Sequence, residues 1–198
     1  MSQQSTEGGA IPFGDDELLS RGPQPTYTGE HLRQVAFPLG GIGSGCISLS
    51  GRGALVDWEI FNRPNKGFRP AYSLLSLYAR EEGAEPVFRV LEGRLQPPYE
   101  GSPGETRFPR WSEGTGPSQL NASGLLRMAD CSFQGHFPFA RVDLADEAVP
   151  VDVSIEGWSP FIPRDTDASS LPVAILEVTL CNTTDSTVAA TVLLSAEN

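Results

Sequence analysis

The chain has 198 residues, 39% of them hydrophobic and 20% charged, enough for one domain with a sizeable core and no metal or disulfide staple. Fourteen basic residues face 25 acidic ones, a net charge of −11. An acidic chain without a basic cluster is a poor partner for nucleic acid or anionic lipid.

Residues 1–30 read as a flexible N-terminal tail rich in Ser, Gln, Gly and Pro, with one short helical turn near 15–19. Residues 31–198 read as a single domain. Cys46–Ser50 alternates at period two, Gly51-Arg52-Gly53 makes a turn, and residues 54–61 resume the alternation. Leu55, Asp57, Glu59 and Phe61 are expected on one face of this hairpin, with Val56, Trp58 and Ile60 on the other. Further strands are expected over 71–80 and 86–91. Residues 96–120, dense in Pro and Gly, form a long loop. Strands return over 124–133, 139–143, 149–156, 173–181 and 188–194, the last two joined by a turn at Asn182-Thr183-Thr184-Asp185. Eight or nine short strands, with no sustained helical period beyond the tail, predict an all-β antiparallel sandwich. The chain stops directly after a strong strand, so a C-terminal truncation is expected.

The chemistry-bearing residues are sparse. The cluster Gly40-Gly41-Ile42-Gly43-Ser44-Gly45 is followed by Cys46 and by no helix signal, so it fits neither dinucleotide nor phosphate-loop patterns. It reads as a tight bend that lets backbone approach backbone. Asp57 and Glu59 lie two apart, but glycosidase carboxylates usually flank a sugar from separate elements, so a solvated or interface role is expected. His31 and His136 have no ligand spacing, and Cys46, Cys131 and Cys181 form no CxxC. No metal, cofactor or disulfide is expected, and the thiols suggest a reducing, cytoplasmic setting. No apolar run approaches the ~20 residues of a transmembrane segment, and the N-terminus lacks signal-peptide features. Trp58 and Trp158 read as core. Trp111, in the long loop, is the candidate for stacking on a sugar ring.

Three blocks of sequence carry a resemblance. Ala36–Gly67 reads AFPLGGIGSGCISLSGRGALVDWEIFNRPNKG; Phe133–Val142 reads FQGHFPFARV; Trp158–Pro163 reads WSPFIP, with Asp167, Ser169, Ser170, Leu171 and Pro172 behind it. Together they resemble the N-terminal domain of glycoside hydrolase family 116, which includes bile-acid β-glucosidases, also called non-lysosomal glucosylceramidases. The resemblance implies a β-sandwich that partners an (α/α)6 helical-barrel catalytic domain in a retaining enzyme. Both catalytic carboxylates would lie in the barrel, so none is assigned to this chain, which is expected to be inactive alone. The whole enzyme would act on a β-glucoside, such as glucosylceramide, without a cofactor. Loops 58–67 and 158–163 are expected to face the barrel, with Trp58, Glu59, Asn62, Arg63, Lys66, Ser159 and Phe161 as interface or pocket-rim candidates. The alternatives are a free-standing carbohydrate-binding or structural sandwich using Trp111, and a complete site built on Asp57.

Overall fold

A computed structural model describes residues 24–61, 63–95 and 124–197, together with Gly14, Asp16 and Ser20. Most of the expected tail, the whole of the long loop 96–120 with Trp111, and Asn62 lie outside these residues. Twelve strands are described: β1 (Thr26–Thr28), β2 (Ala36–Leu39), β3 (Gly45–Ser50), β4 (Leu55–Ile60), β5 (Leu74–Glu81), β6 (Val87–Gly93), β7 (Arg127–Met128), β8 (Asp130–His136), β9 (Phe139–Ala145), β10 (Val151–Trp158), β11 (Ile175–Asn182) and β12 (Val188–Ser195). The helical content among these residues is slight: a 3-10 turn at Gly29–Arg33 and a four-residue helix at Thr166–Ser169.

The strands form three sheets: β1-β8-β9-β10-β11, β12-β5-β6-β7 and β2-β3-β4. Side-chain alternation dictates how they stack. In β10, Val151, Val153 and Ile155 are buried while Asp152 is exposed. With Phe133, Val142 and Leu144 they form the inner face of the five-stranded layer. Opposite lie Leu39, Leu49 and Leu55 of the three-stranded sheet and Leu75, Leu77, Ala79 and Leu91 of the four-stranded sheet, all in one core. The fold is an all-β sandwich whose second layer is shared by two small sheets. All pairings are antiparallel except β6 with β7.

The turn at Gly51-Arg52-Gly53 stitches the two small sheets together. Arg52 is buried, its carbonyl accepts from Gly93 N at 2.8 Å, and its Nη1 donates to Gly93 O at 3.1 Å. Gly53 is needed there: its φ is +87°, and an added Cβ would meet Leu91 O at 2.9 Å. Beside this turn sits a buried ionic cluster. Glu92 of β6 accepts from Arg69 Nη2 at 2.6 Å and from Arg127 Nε at 3.1 Å, with Arg52 Nη1 at 4.0 Å. Burial raises the Glu92 pKa, but the charge and hydrogen bonds of Arg69, then the charges of Arg52 and Arg127, outweigh it and hold the carboxyl below the ordinary glutamate range.

Two expectations need refinement. The alternation expected across residues 54–61 breaks at Asp57. Ser48 pairs with Val56 and Cys46 with Glu59, so Asp57 and Trp58 together face Ile47. This is a β-bulge, with Asp57 at φ +51°, and it puts Glu59 on the face of Val56 instead of that of Leu55. The turn after β11 is present, with Asn182 Oδ1 accepting from Thr184 N at 2.9 Å. However, β11 pairs with β10 while β12 pairs with β5, so the chain crosses between layers there.

Candidate functional site

Strand register places several loops at one end of the sandwich. Gly45 pairs with Ile60, His136 with Phe139, and Trp158 with Ile175. The connections 40–44, 61–73, 137–138 and 159–174 therefore all leave from the same ends of their sheets. Hydrogen bonds between the sheets confirm the alignment: Gly40 N donates to Ser159 Oγ at 2.6 Å, and Ile42 N donates to Ser169 O at 2.9 Å.

The glycine-rich bend works by close approach, as expected, but its neighbour is the 159–171 loop of this same sandwich. A Cβ on Gly41 would stand 2.5 Å from the Ser170 carbonyl oxygen and would also collide with Leu171 O. The facing loop is organised by its own side chains. Asp165 accepts from Ala168 N at 2.9 Å and caps the short helix. The buried Ser169 hydroxyl accepts from Ile162 N at 2.9 Å and donates to Ile162 O at 3.0 Å.

The 58–67 loop is clamped by the two carboxylates of the bulged strand. Asp57 Oδ1 accepts from Gly67 N at 2.6 Å, and Glu59 Oε1 accepts from Asn65 N at 3.1 Å. Lys66 Nζ lies 3.1 Å from Glu59 Oε2 and 3.5 Å from Asp57 Oδ2. Asn65 Nδ2 completes the fold-back by donating to Trp58 O at 3.1 Å. Burial pushes the Glu59 pKa up, but the Asn65 amide and Lys66 outweigh it and hold Glu59 below the ordinary glutamate value. The same pairing raises Lys66 against its own partial desolvation. Both carboxylates are thus committed to folding a loop.

Of the residues expected at an interface, Trp58, Glu59 and Lys66 belong to this clamp. The Trp58 indole donates to Leu55 O at 3.1 Å, and Trp158 at the end of β10 packs on Phe139 with ring centroids 6.1 Å apart. Ser159 and Phe161 belong to the facing loop, joined to the clamp side through the glycine bend. Arg63 is exposed, and Asn62 and Trp111 lie outside the described residues. The sequence reading missed an apolar crown on this end. Phe61 is 85% exposed at φ +56°, Phe137 is exposed and stands edge-on to Phe161 at 5.1 Å, and Ile42, Ile162 and Leu171 are exposed as well. The available signal was Phe61 in a turn before Asn62-Arg63-Pro64, where a bulky apolar residue has no local reason to be.

The thiols differ sharply. Burial, chiefly, pushes the Cys131 pKa up to about 12, and desolvation followed by Glu59 raises that of Cys46, whereas Cys181 is exposed. Alkylation with iodoacetamide near pH 8 is expected to mark Cys181 first and to spare Cys131 until the chain unfolds. Peptide mass mapping checks this; early labelling of Cys131 contradicts the packing described.

No helix among the described residues is long and apolar enough to cross a membrane. A search of curated proteins finds no match. Among protein-family models, the one described as "beta-glucosidase 2, glycosyl-hydrolase family 116 N-term" matches residues 36–198, a span that starts at β2 and includes the glycine bend, the clamped loop and the facing loop. The chain therefore belongs to the family of N-terminal domains of glycosyl hydrolase family 116.

Proposed function

We propose that this chain is the sandwich part of a retaining β-glucosidase, and that its crowned end docks and orients a helical-barrel catalytic domain. The family match over residues 36–198 carries this reading. The apolar crown supports it, because exposed aromatic residues clustered on a rigid end are typical anchors of an interface. Loops 58–67 and 158–163 are the docking loops, with Trp58, Glu59, Asn62, Arg63, Lys66, Ser159 and Phe161 at the interface or the pocket rim. The retaining reaction needs a nucleophile and an acid/base roughly 5–5.5 Å apart. Asp57 and Glu59 are both tied to Lys66, so the partner domain supplies that pair. The substrate class is a β-glucoside, glucosylceramide among them, and the setting is cytoplasmic.

The test is to express the chain alone and together with a family 116 helical barrel, in cis and in trans. The chain alone is expected to leave an aryl β-glucoside intact, and the joined protein to cleave it. Phe61→Asp is expected to weaken association at least roughly tenfold, as loss of an aromatic anchor does, while the thermal transition of the sandwich stays in place. Turnover by the chain alone, abolished by Asp57→Asn, overturns the reading.

A further inference from the structure

The facing loop turns sharply just after Phe161. Asp165 N donates to Ile162 O at 3.0 Å, and these two residues form an isolated antiparallel bridge. Pro163 and Arg164 are therefore the central pair of a β-turn. Proline fixes its own φ near −65°, whereas Arg164 has φ +73°. That combination is a type II turn, whose third position calls for glycine or asparagine. Other groups hold the turn in place. The Ser169 hydroxyl bonds both Ile162 N and Ile162 O, and the Asp165 carboxylate accepts from Ala168 N. The Arg164 side chain makes no hydrogen bond or ion pair among the described residues.

Three described residues other than glycine have positive φ: Asp57, Phe61 and Arg164. All three lie at the crowned end. Asp57 has a local reason, because its carboxylate accepts from Gly67 N within the clamp. Phe61 and Arg164 have none, and both are exposed. Left-handed backbone is unfavourable for any residue with a Cβ, and it persists where the side chain so displayed is used in binding. Two loops of one surface thus hold out an aromatic side chain and an unpaired guanidinium. A domain seated on the crown would take that guanidinium out of water, which is tolerable only opposite an anion. The planar fork of arginine matches a carboxylate through two N–H groups.

We propose that Arg164 is a charged contact of the docking end, and that its counterpart is a carboxylate on the helical-barrel domain. This inference rests on the docking reading above. It extends the interface one residue beyond loop 158–163 and requires an acidic side chain beside the apolar socket of the partner. The net charge of −11 disfavours the other anionic surface, a bilayer of acidic lipid.

The test is titration of the full chain with a family 116 helical barrel, together with thermal melts of the chain alone. Asparagine suits a positive φ, so Arg164→Asn is expected to keep or raise the thermal midpoint while weakening association about tenfold. Arg164→Lys is expected to retain part of the affinity. Added salt should weaken wild-type binding more steeply than binding of the Asn variant. Arg80→Gln, an exposed cation near the far end of β5, is expected to bind like the wild type. Wild-type affinity and salt dependence in Arg164→Asn overturn this inference and leave the docking reading standing. A fall in its thermal midpoint also overturns it, since the side chain would then be supporting the fold. So does a loss confined to binding of phosphatidylserine vesicles. Absence of any association between the wild-type chain and the barrel overturns the docking reading, and this inference with it.

Discussion

Glu92→Gln is expected to cost the sandwich about 3–5 kcal/mol, the penalty for leaving buried cations without their counter-charge. Typical domains are stable by about 5–15 kcal/mol in total, so this one change brings the chain near its unfolding limit. Three guanidinium groups surround one carboxylate that is 1% exposed. The amide keeps the shape but removes the charge that makes those arginines tolerable. Urea titration should show a large fall in midpoint with little change in slope. A loss under about 1 kcal/mol would mean that the arginines are balanced by other groups. The same cluster sets an acid limit. The Glu92 pKa is lower folded than unfolded, so its stabilisation is complete above the ordinary glutamate value of 4.5 and is lost as pH falls through the folded value. Wild-type stability should therefore decline below that pH, and the Gln variant should lack this part of the decline.

Gly41→Ala is the second large effect. The new methyl would press on the backbone of Ser170 and Leu171, and neither is the free end of a flexible side chain. Something must move, and the hydrogen bond from Ile42 N to Ser169 O at 2.9 Å is next to the collision. A loss of about 1–3 kcal/mol is expected from overpacking, concentrated at the crowned end. Hydrogen exchange should quicken at Ile42 and across residues 159–171 while β10 stays protected. Gly43→Ala is the control. Its φ is +76°, but an added Cβ there meets nothing within 4 Å, so only backbone strain of about 1 kcal/mol remains. Equal losses in the two variants would mean that conformation, and not close approach, explains the glycine bend.

Much of this architecture is legible in the residue pattern, because the sandwich depends on period-two alternation. Val151, Asp152, Val153 and Ile155 declare a half-buried strand without any knowledge of its neighbours. The bend at Gly40–Gly45 likewise announces a close approach, though not to which segment. The bulge at Asp57 is not legible, because a bulge is a property of two strands and their register. The Glu92 cluster is hidden for a related reason: Arg52, Arg69 and Arg127 stand far apart in sequence and meet only across a finished sheet. The clamp was half visible. Asp57 and Glu59 stood out as a pair, but the chemistry they perform is to hold Asn65, Lys66 and Gly67. The exposure of Phe61 has only a weak local signal, a bulky apolar residue ahead of Asn62-Arg63-Pro64, since a turn residue's outward aim has no periodic signature.

The crossing between β11 and β12 has a consequence for synthesis. Each joins a strand already laid down: β11 lies beside its recent neighbour β10, but β12 must find β5, with Val188 against Glu81 and Ser195 against Leu74. One layer can therefore assemble step by step as the polypeptide leaves the ribosome, whereas the other keeps β5 unpaired on one side until β12 emerges. Distant pairing of this kind slows folding and leaves an open strand edge that neighbouring nascent chains can capture. Chaperone dependence during translation should therefore concentrate in the interval between the appearance of β5 and that of β12.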